Sequence, residues 1–264
     1  MSHAANLKEE PFVLVDRDAR GVVRLELNRP QAFNALSSDM LSALQHELDL
    51  LAADESLRVL VISATGKAFC AGHDLREMRR NPSMDFYQTL FAQCSRMMMS
   101  LRNLPVPVIA AVDGVATAAG CQLVAMCDLA VASVNAKFAV SGVNLGLFCA
   151  TPSVALSRNV SQKAAFEMLV TGDFISAELA LEKGLINAVT PEDGLTAQVN
   201  FWIDRITAKP RLGIAMGKDL FYKQLEMPLA AAYQTAEHTM ACNMMDDTAL
   251  EGVQAFIDKR KPNW

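Results

Sequence analysis

Between residues 105 and 133 the chain reads PVPVIAAVDGVATAAGCQLVAMCDLAVAS. An apolar run entered through prolines, 105–114, and a shorter one, 128–133, flank a segment with helix-like composition that is apolar on nearly every side. A helix without a polar face belongs in an interior, and short apolar runs bounded by turn residues read as buried strands. Strand, helix and strand in that order imply a right-handed crossover, which places the chain in the α/β class. One polar side chain, Gln122, interrupts the apolar helix. A neutral amide at that depth needs a reason, because burying a polar group is costly unless it is bonded.

The flanking segments fit the same class. FVLVDRDARGVVRLELN alternates on both sides of a turn at Asp18–Gly21, so Val23, Leu25 and Leu27 face a core while Arg24 and Glu26 face away. LSSDMLSALQHELDLLAAD has helical spacing, with Met40, Leu41, Leu44, Leu48 and Leu51 on one face and Ser37 or Ser38 as the cap. RVLVISA (58–64) reads as another buried strand, TGKAFCAGHDL as a loop, and 84–103 as a helix. Gly172 and Gly184 are placed to stop two further helices. Beyond 190, three helical stretches are expected over roughly 191–208, 210–225 and 228–258. Such a tail must bury its apolar face against the core, a neighbouring subunit or both.

With 264 residues, 52% of them hydrophobic, the chain can build a sizeable core. A net charge of −5 without long runs of one sign excludes a nucleic-acid face. No apolar run reaches the roughly 18–20 residues a bilayer requires. The N-terminus MSHAANLKEEPFVLVD has neither the pattern of a secretory signal nor the Arg-rich character of a transit peptide, so a cytoplasmic protein is expected. Six cysteines occur without a C-x-x-C pair and four histidines without ligand spacing; buried thiols and no metal are expected.

Two loops carry potential chemistry. In FCAGHDL, Gly72 lets the backbone turn after a strand, and His73 follows it. In GVATAAGCQL, small residues open a helix, so the N–H groups around Ala119 are free to meet negative charge. Two such groups converging on one carbonyl oxygen would form an oxyanion hole. Tight packing is the competing explanation for small residues at a helix start.

NRPQAFNAL, GKAFCAGHDL, the 105–133 stretch, FAVSGVNLGL, LVTGDFISAELALEKGLINAV and FIDKRKPNW follow one another in an order that resembles the enoyl-CoA hydratase/isomerase (crotonase) family, over about residues 12–264. ATAAGCQL, GVNLGLFCATPSVAL, FYKQL and the ending look most similar to its domain-containing protein 3 subgroup. The resemblance implies a crotonase-like ββα spiral core over 1–195, followed by a helical trimerisation region over 196–264. It implies an acyl-CoA thioester substrate, with coenzyme A as part of the substrate and no further cofactor, and a homotrimer or hexamer. The thioester oxygen would lie between the N–H groups of His73 and Ala119. Arg29, Ala32 and Phe33, together with Lys67, Ala68, Ala71, Gly72, Asp74 and Leu75, match segments that hold the nucleotide and pantetheine. Phe256 and Lys259 match tail positions that contribute to CoA binding, sometimes from an adjacent subunit.

The chain departs from the family's hydratases at both catalytic glutamates, whose positions hold Gln122 and Gly142. Glutamine can bond water but cannot take its proton, and glycine offers nothing. A positioned acid or base is worth roughly 10²–10⁴ in rate, so hydration is expected to be weak or absent. His73 could shuttle a proton or hold a carboxylate, or simply bond its own loop. A His there resembles a decarboxylase branch, whose tyrosine is replaced by Cys149. Cys149 is either a nucleophile or a buried thiol. Asp74 and Asp128 read as structural anchors, and Ser141 and Asn144 line the region that lost a glutamate. An enolate-forming enzyme acting on a malonyl-type thioester, and a non-catalytic acyl-CoA-binding trimer, are the alternatives.

Overall fold

The computed structural model describes residues 10–264. Strict alternation gives the first ladder, in which β1 (Val13–Arg17) and β2 (Val22–Leu27) pair antiparallel. The helix α1 (Ser38–Ala52) starts on Ser37, whose hydroxyl accepts from Met40 N, and it buries the five residues expected. Then come β3 (Val59–Ala64), β4 (Ala68–Cys70), α2 (Leu75–Arg80), α3 (Met84–Asn103), β5 (Val108–Val112), β6 (Val115–Thr117), α4 (Ala119–Met126), β7 (Leu129–Ser133) and β8 (Lys137–Ala139). The second half holds α5 (Ala150–Leu156), α6 (Gln162–Thr171), β9 (Ile175–Ser176), α7 (Ala177–Glu182), β10 (Ala188–Thr190), α8 (Leu195–Thr207), α9 (Arg211–Gln224), α10 (Leu229–Met244) and α11 (Asp247–Ile257).

The large sheet has the order β1-β2-β3-β5-β7-β10 and is parallel except at β1–β2. One line across it runs Leu25, Ile62, Ala110, Ala130. Both faces are covered, as a parallel sheet requires. Val23, Leu25, Leu27, Leu60 and Ile62 face α1, α3 and α4, while Val22, Val59, Val61, Ile109 and Val131 face Val199 and Ile203 of α8. That double burial explains why these strands read as apolar runs. α8, at the start of the expected helical region, therefore packs on the sheet.

Two expectations are corrected. The segment TGKAFCAGHDL is not all loop: it contains β4, part of a second sheet of order β4-β6-β8-β9. These strands have two or three residues each, too few to show a period. The stretch 228–258 is two helices, because Asp246 adopts extended backbone and its carboxylate accepts from Thr248 N to cap α11.

Of the six cysteines, all free, five are buried and Cys242 is exposed. Helix α9 buries no apolar residue within the chain, and α10 and α11 bury only Ala232 and Ala255. Phe221, Tyr233, Met240, Val253 and Phe256 on these helices are exposed. Among the described residues, no helix is long and apolar enough to cross a membrane.

Candidate active site

The small sheet positions the site. Strands β4, β6 and β8 run parallel, so their carboxyl ends point the same way. β4 delivers Ala71, Gly72 and His73; β6 delivers Ala118 and Ala119 at the start of α4; β8 delivers Ser141 and Gly142. Ligands in α/β folds meet the carboxyl ends of parallel strands. Here the three exits enclose an apolar cavity of about 260 Å³. Leu75, Met78, Phe91, Leu145, Leu147 and Phe148 supply its large apolar side chains.

The close approach of the two loops, which sequence could not supply, is visible at Gly72. Its φ is +87°, and a Cβ built there would lie 2.9 Å from Ala118 Cβ and 3.2 Å from Ala119 N. Only glycine lets the His73 loop approach the start of α4 this closely. Neither His73 N nor Ala119 N donates to a protein acceptor among the described residues. The second and third exits are joined by Ala118 N donating to Ala139 O (3.0 Å) and by a 2.9 Å contact between the Thr117 and Ser141 hydroxyls. Ala118 itself adopts φ 52°, ψ −119°. That region suits glycine and costs an alanine about 1–3 kcal/mol.

His73 Nδ1 lies 3.3 Å from Leu36 O. A carbonyl only accepts, so Nδ1 carries the proton and Nε2 is a bare acceptor. Nε2 is buried and has no partner among the described residues. Burial holds the imidazole below its ordinary 6.5, against the opposing effects of Leu36 O and Glu77, so the ring is neutral at pH 7. Phe91 meets it edge-on with centroids 5.3 Å apart. Gln122 sits one turn into α4, is 5% exposed, and its Oε1 also lacks a partner.

Gly142 is closed in. A Cβ there would stand 2.4 Å from Leu147 O and 2.7 Å from Cys149 Sγ. The turn after β8 folds back on itself, with Leu147 N donating to Gly142 O (3.0 Å) and Gly142 N donating to Cys149 Sγ (3.3 Å). This position lacks room for any side chain as well as lacking a carboxylate. Cys149 is 7% exposed and faces the cavity. Burial pushes its thiol up, with Gly142 N–H opposing.

The segments expected at the nucleotide side do come together. Ala71 N donates to Phe33 O (3.0 Å) and Leu36 N to Gly72 O (2.8 Å). Asn34, fully buried, clamps them by donating from Nδ2 to Thr65 O and Ala68 O, both at 2.8 Å, and accepting Arg29 N. Asn34 was not singled out in the sequence; its only signal is an Asn in a turn. Phe33 is 57% exposed and Ala32 precedes it in the same turn, while Lys67 is exposed and Ala68, buried, opens β4. Arg29 is held by Asp74 at 2.8 Å, and Asp74 caps α2 by accepting from Arg76 N and Glu77 N. Burial raises the Asp74 carboxyl, but Arg29 and those N–H groups outweigh it and the net shift is downward. Phe256 lines a separate depression with Gly252 and Trp264, and Lys259 follows it with φ +54°. Within one chain, neither joins the cavity of His73. The apolar wall residues Met78, Phe91 and Leu145–Phe148 were also missed; Leu145–Phe148 interrupted by Gly146 could have been found as an apolar loop.

Three comparisons bear on the chain as a whole. A family model described as enoyl-CoA hydratase/isomerase matches residues 17–264. A crystal structure of an enoyl-CoA hydratase from Mycobacterium smegmatis superposes with a TM-score of 0.96 at 61% identity, covering 97% of this chain and 99% of that one. The human enoyl-CoA hydratase domain-containing protein 3 superposes at 0.92 and 45% identity, over 97% and 100% of the two chains. The mouse protein of that name is 46% identical over 98% of this chain and 87% of its own. The mouse protein is named as mitochondrial, as are four further vertebrate relatives at 43–45% identity. Those names overturn the cytoplasmic expectation, which rested on the character of the first residues alone.

Proposed function

Because the chain belongs to the enoyl-CoA hydratase/isomerase family, we propose that the cavity takes the acyl group of a CoA thioester, with the thioester oxygen between His73 N–H and Ala119 N–H. The observation that carries this is their pairing. His73 and Ala119, which leave separate strand exits and whose N–H groups have no acceptor among the described residues, both line one apolar cavity, and this supports the reading. Donors fixed in that way stabilise an oxyanion without reorganising, and each is worth roughly 10²–10³ in rate. The start of α4 adds its dipole in the same sense.

The acyl group is an uncharged hydrocarbon. The cavity wall includes no Lys or Arg, and His73 is neutral with a lone pair on Nε2. A carboxylate would be buried there without a partner. The cavity therefore favours simple acyl and enoyl thioesters over malonyl-type ones, and the decarboxylase alternative loses its support. Glutamine at 122 cannot deprotonate water, and Gly142 has no room for an acid, so hydration of crotonyl-CoA runs at least about 10²-fold below a hydratase with both carboxylates. The tail supports a homotrimer, or a hexamer of two trimers, because α9 to α11 leave their apolar faces uncovered within one chain.

Calorimetric titration tests the reading. Crotonyl-CoA should bind, and bind tighter than free CoA, while malonyl-CoA binds no better than free CoA. No affinity for crotonyl-CoA at millimolar protein would sink the proposal.

A further inference from the structure

The cavity wall has four side chains with a proton on a heteroatom: His73, Ser141, Cys149 and Thr151. The His73 proton sits on Nδ1 and is given to Leu36 O. Ser141 is paired with Thr117, and alcohols such as Ser141 and Thr151 are too weakly acidic to release a proton. Cys149 is different. Its sulfur accepts Gly142 N–H at 3.3 Å, so its lone pairs are anchored, while its own S–H is committed to no acceptor among the described residues.

We propose that Cys149 is the proton donor of this site and that Gly142 is its positioning residue. This rests on reading the cavity as the thioester site. An enolate held by His73 N–H and Ala119 N–H carries its negative charge on the thioester oxygen. The Cys149 S–H bond breaks, the enolate electron pair forms a C–H bond at the α-carbon, and the carbonyl re-forms. The negative charge moves to sulfur, where Gly142 N–H already points. The thiolate then takes a proton from water, the hydroxide leaves to solvent, and no oxidant or reductant is involved. Run in reverse, the thiolate removes one α-hydrogen. Glycine is needed at 142 because a Cβ there would stand 2.7 Å from the sulfur and displace it. Burial keeps most of the thiol protonated at neutral pH, the form a donor requires, and exchange from a saturated thioester runs through the small fraction that has lost its proton to solvent.

The test is exchange of the α-hydrogens of butyryl-CoA in deuterium oxide, read by NMR, beside the dissociation constant of the same thioester. A single fixed donor exchanges one of the two α-hydrogens, so the wild type should exchange stereospecifically above the protein-free rate. Cys149→Ala should lower that rate by about 10²-fold or more while affinity stays within about threefold. Cys149→Ser keeps the shape and should lose exchange equally, which a merely structural role would not cause. Gly142→Ala should also lower exchange, by moving the sulfur. The proposal is overturned if the wild type binds butyryl-CoA without exchanging it, or if Cys149→Ala exchanges at the wild-type rate. Absence of binding would remove the functional reading, and this inference with it.

Discussion

The two ends of α4 treat buried polar atoms in opposite ways. At its carboxyl end, Asp128 accepts from Val108 N (2.7 Å), Lys218 Nζ (2.6 Å) and Tyr222 OH (2.7 Å). Lys218 spends its other two protons on Leu101 O (3.0 Å) and Val106 O (2.9 Å). Burial pulls the Lys218 ammonium below its ordinary range, with Asp128 opposing. At its amino end, two backbone N–H groups, His73 Nε2 and Gln122 Oε1 have no partner among the described residues. Buried polar atoms in native proteins are almost always paired. A saturated cluster holds structure, here tying α9 to the core, and an unsaturated one is completed by something that arrives. The amino end of α4 favours negative charge in whatever completes it.

The contrast can be broken by mutation. The largest effect belongs to the saturated end. Asp128→Ala strands a buried ammonium and a phenol, and should cost about 3–5 kcal/mol in urea unfolding; a loss below 1 would mean the cluster is not structural. Gly142→Glu at the other end should cost about 1–3 kcal/mol through overpacking against Leu147 O and Cys149, and should not create a hydratase. Hydration of crotonyl-CoA by that variant at ordinary rates would show that the turn opens freely. Gln122→Leu removes an orphaned acceptor and should be neutral or stabilise by about 1 kcal/mol. A large loss would show that Gln122 has a partner in solution. The smallest effect is a pH slope. The folded pKa of His73 lies below its ordinary 6.5, so as pH falls below that value the unfolded chain takes up a proton the native state refuses. Stability should therefore be fully present above 6.5 and decline beneath it, and His73→Gln should flatten that part of the profile.

Much of this was legible in the sequence. The buried face of α1, its Ser37 cap, the antiparallel first pair and the strands at 59–64, 108–112 and 129–133 all declare themselves by period. So did the two loops that carry His73 and Ala119. What escaped is what depends on distant partners or on single dihedrals. Asp128 and Lys218 are 90 residues apart, and nothing local in either announces the other. The strands β4, β6, β8 and β9 are too short to have a pattern. The lost acid at 142 was legible, but the filling of its space by Leu147 and Cys149 was not, because a turn's path is invisible in composition.

The parallel run of β4, β6 and β8 has a consequence for how such a site changes over generations. Each strand exit contributes one part, so the parts are separately editable. In the proposed reading the first two exits supply the oxyanion donors and the third supplies the proton donor. A handful of substitutions after β8 can rewrite the reaction while recognition is inherited intact. A lineage can thus drift from one chemistry to another without ever passing through a protein that has lost its substrate.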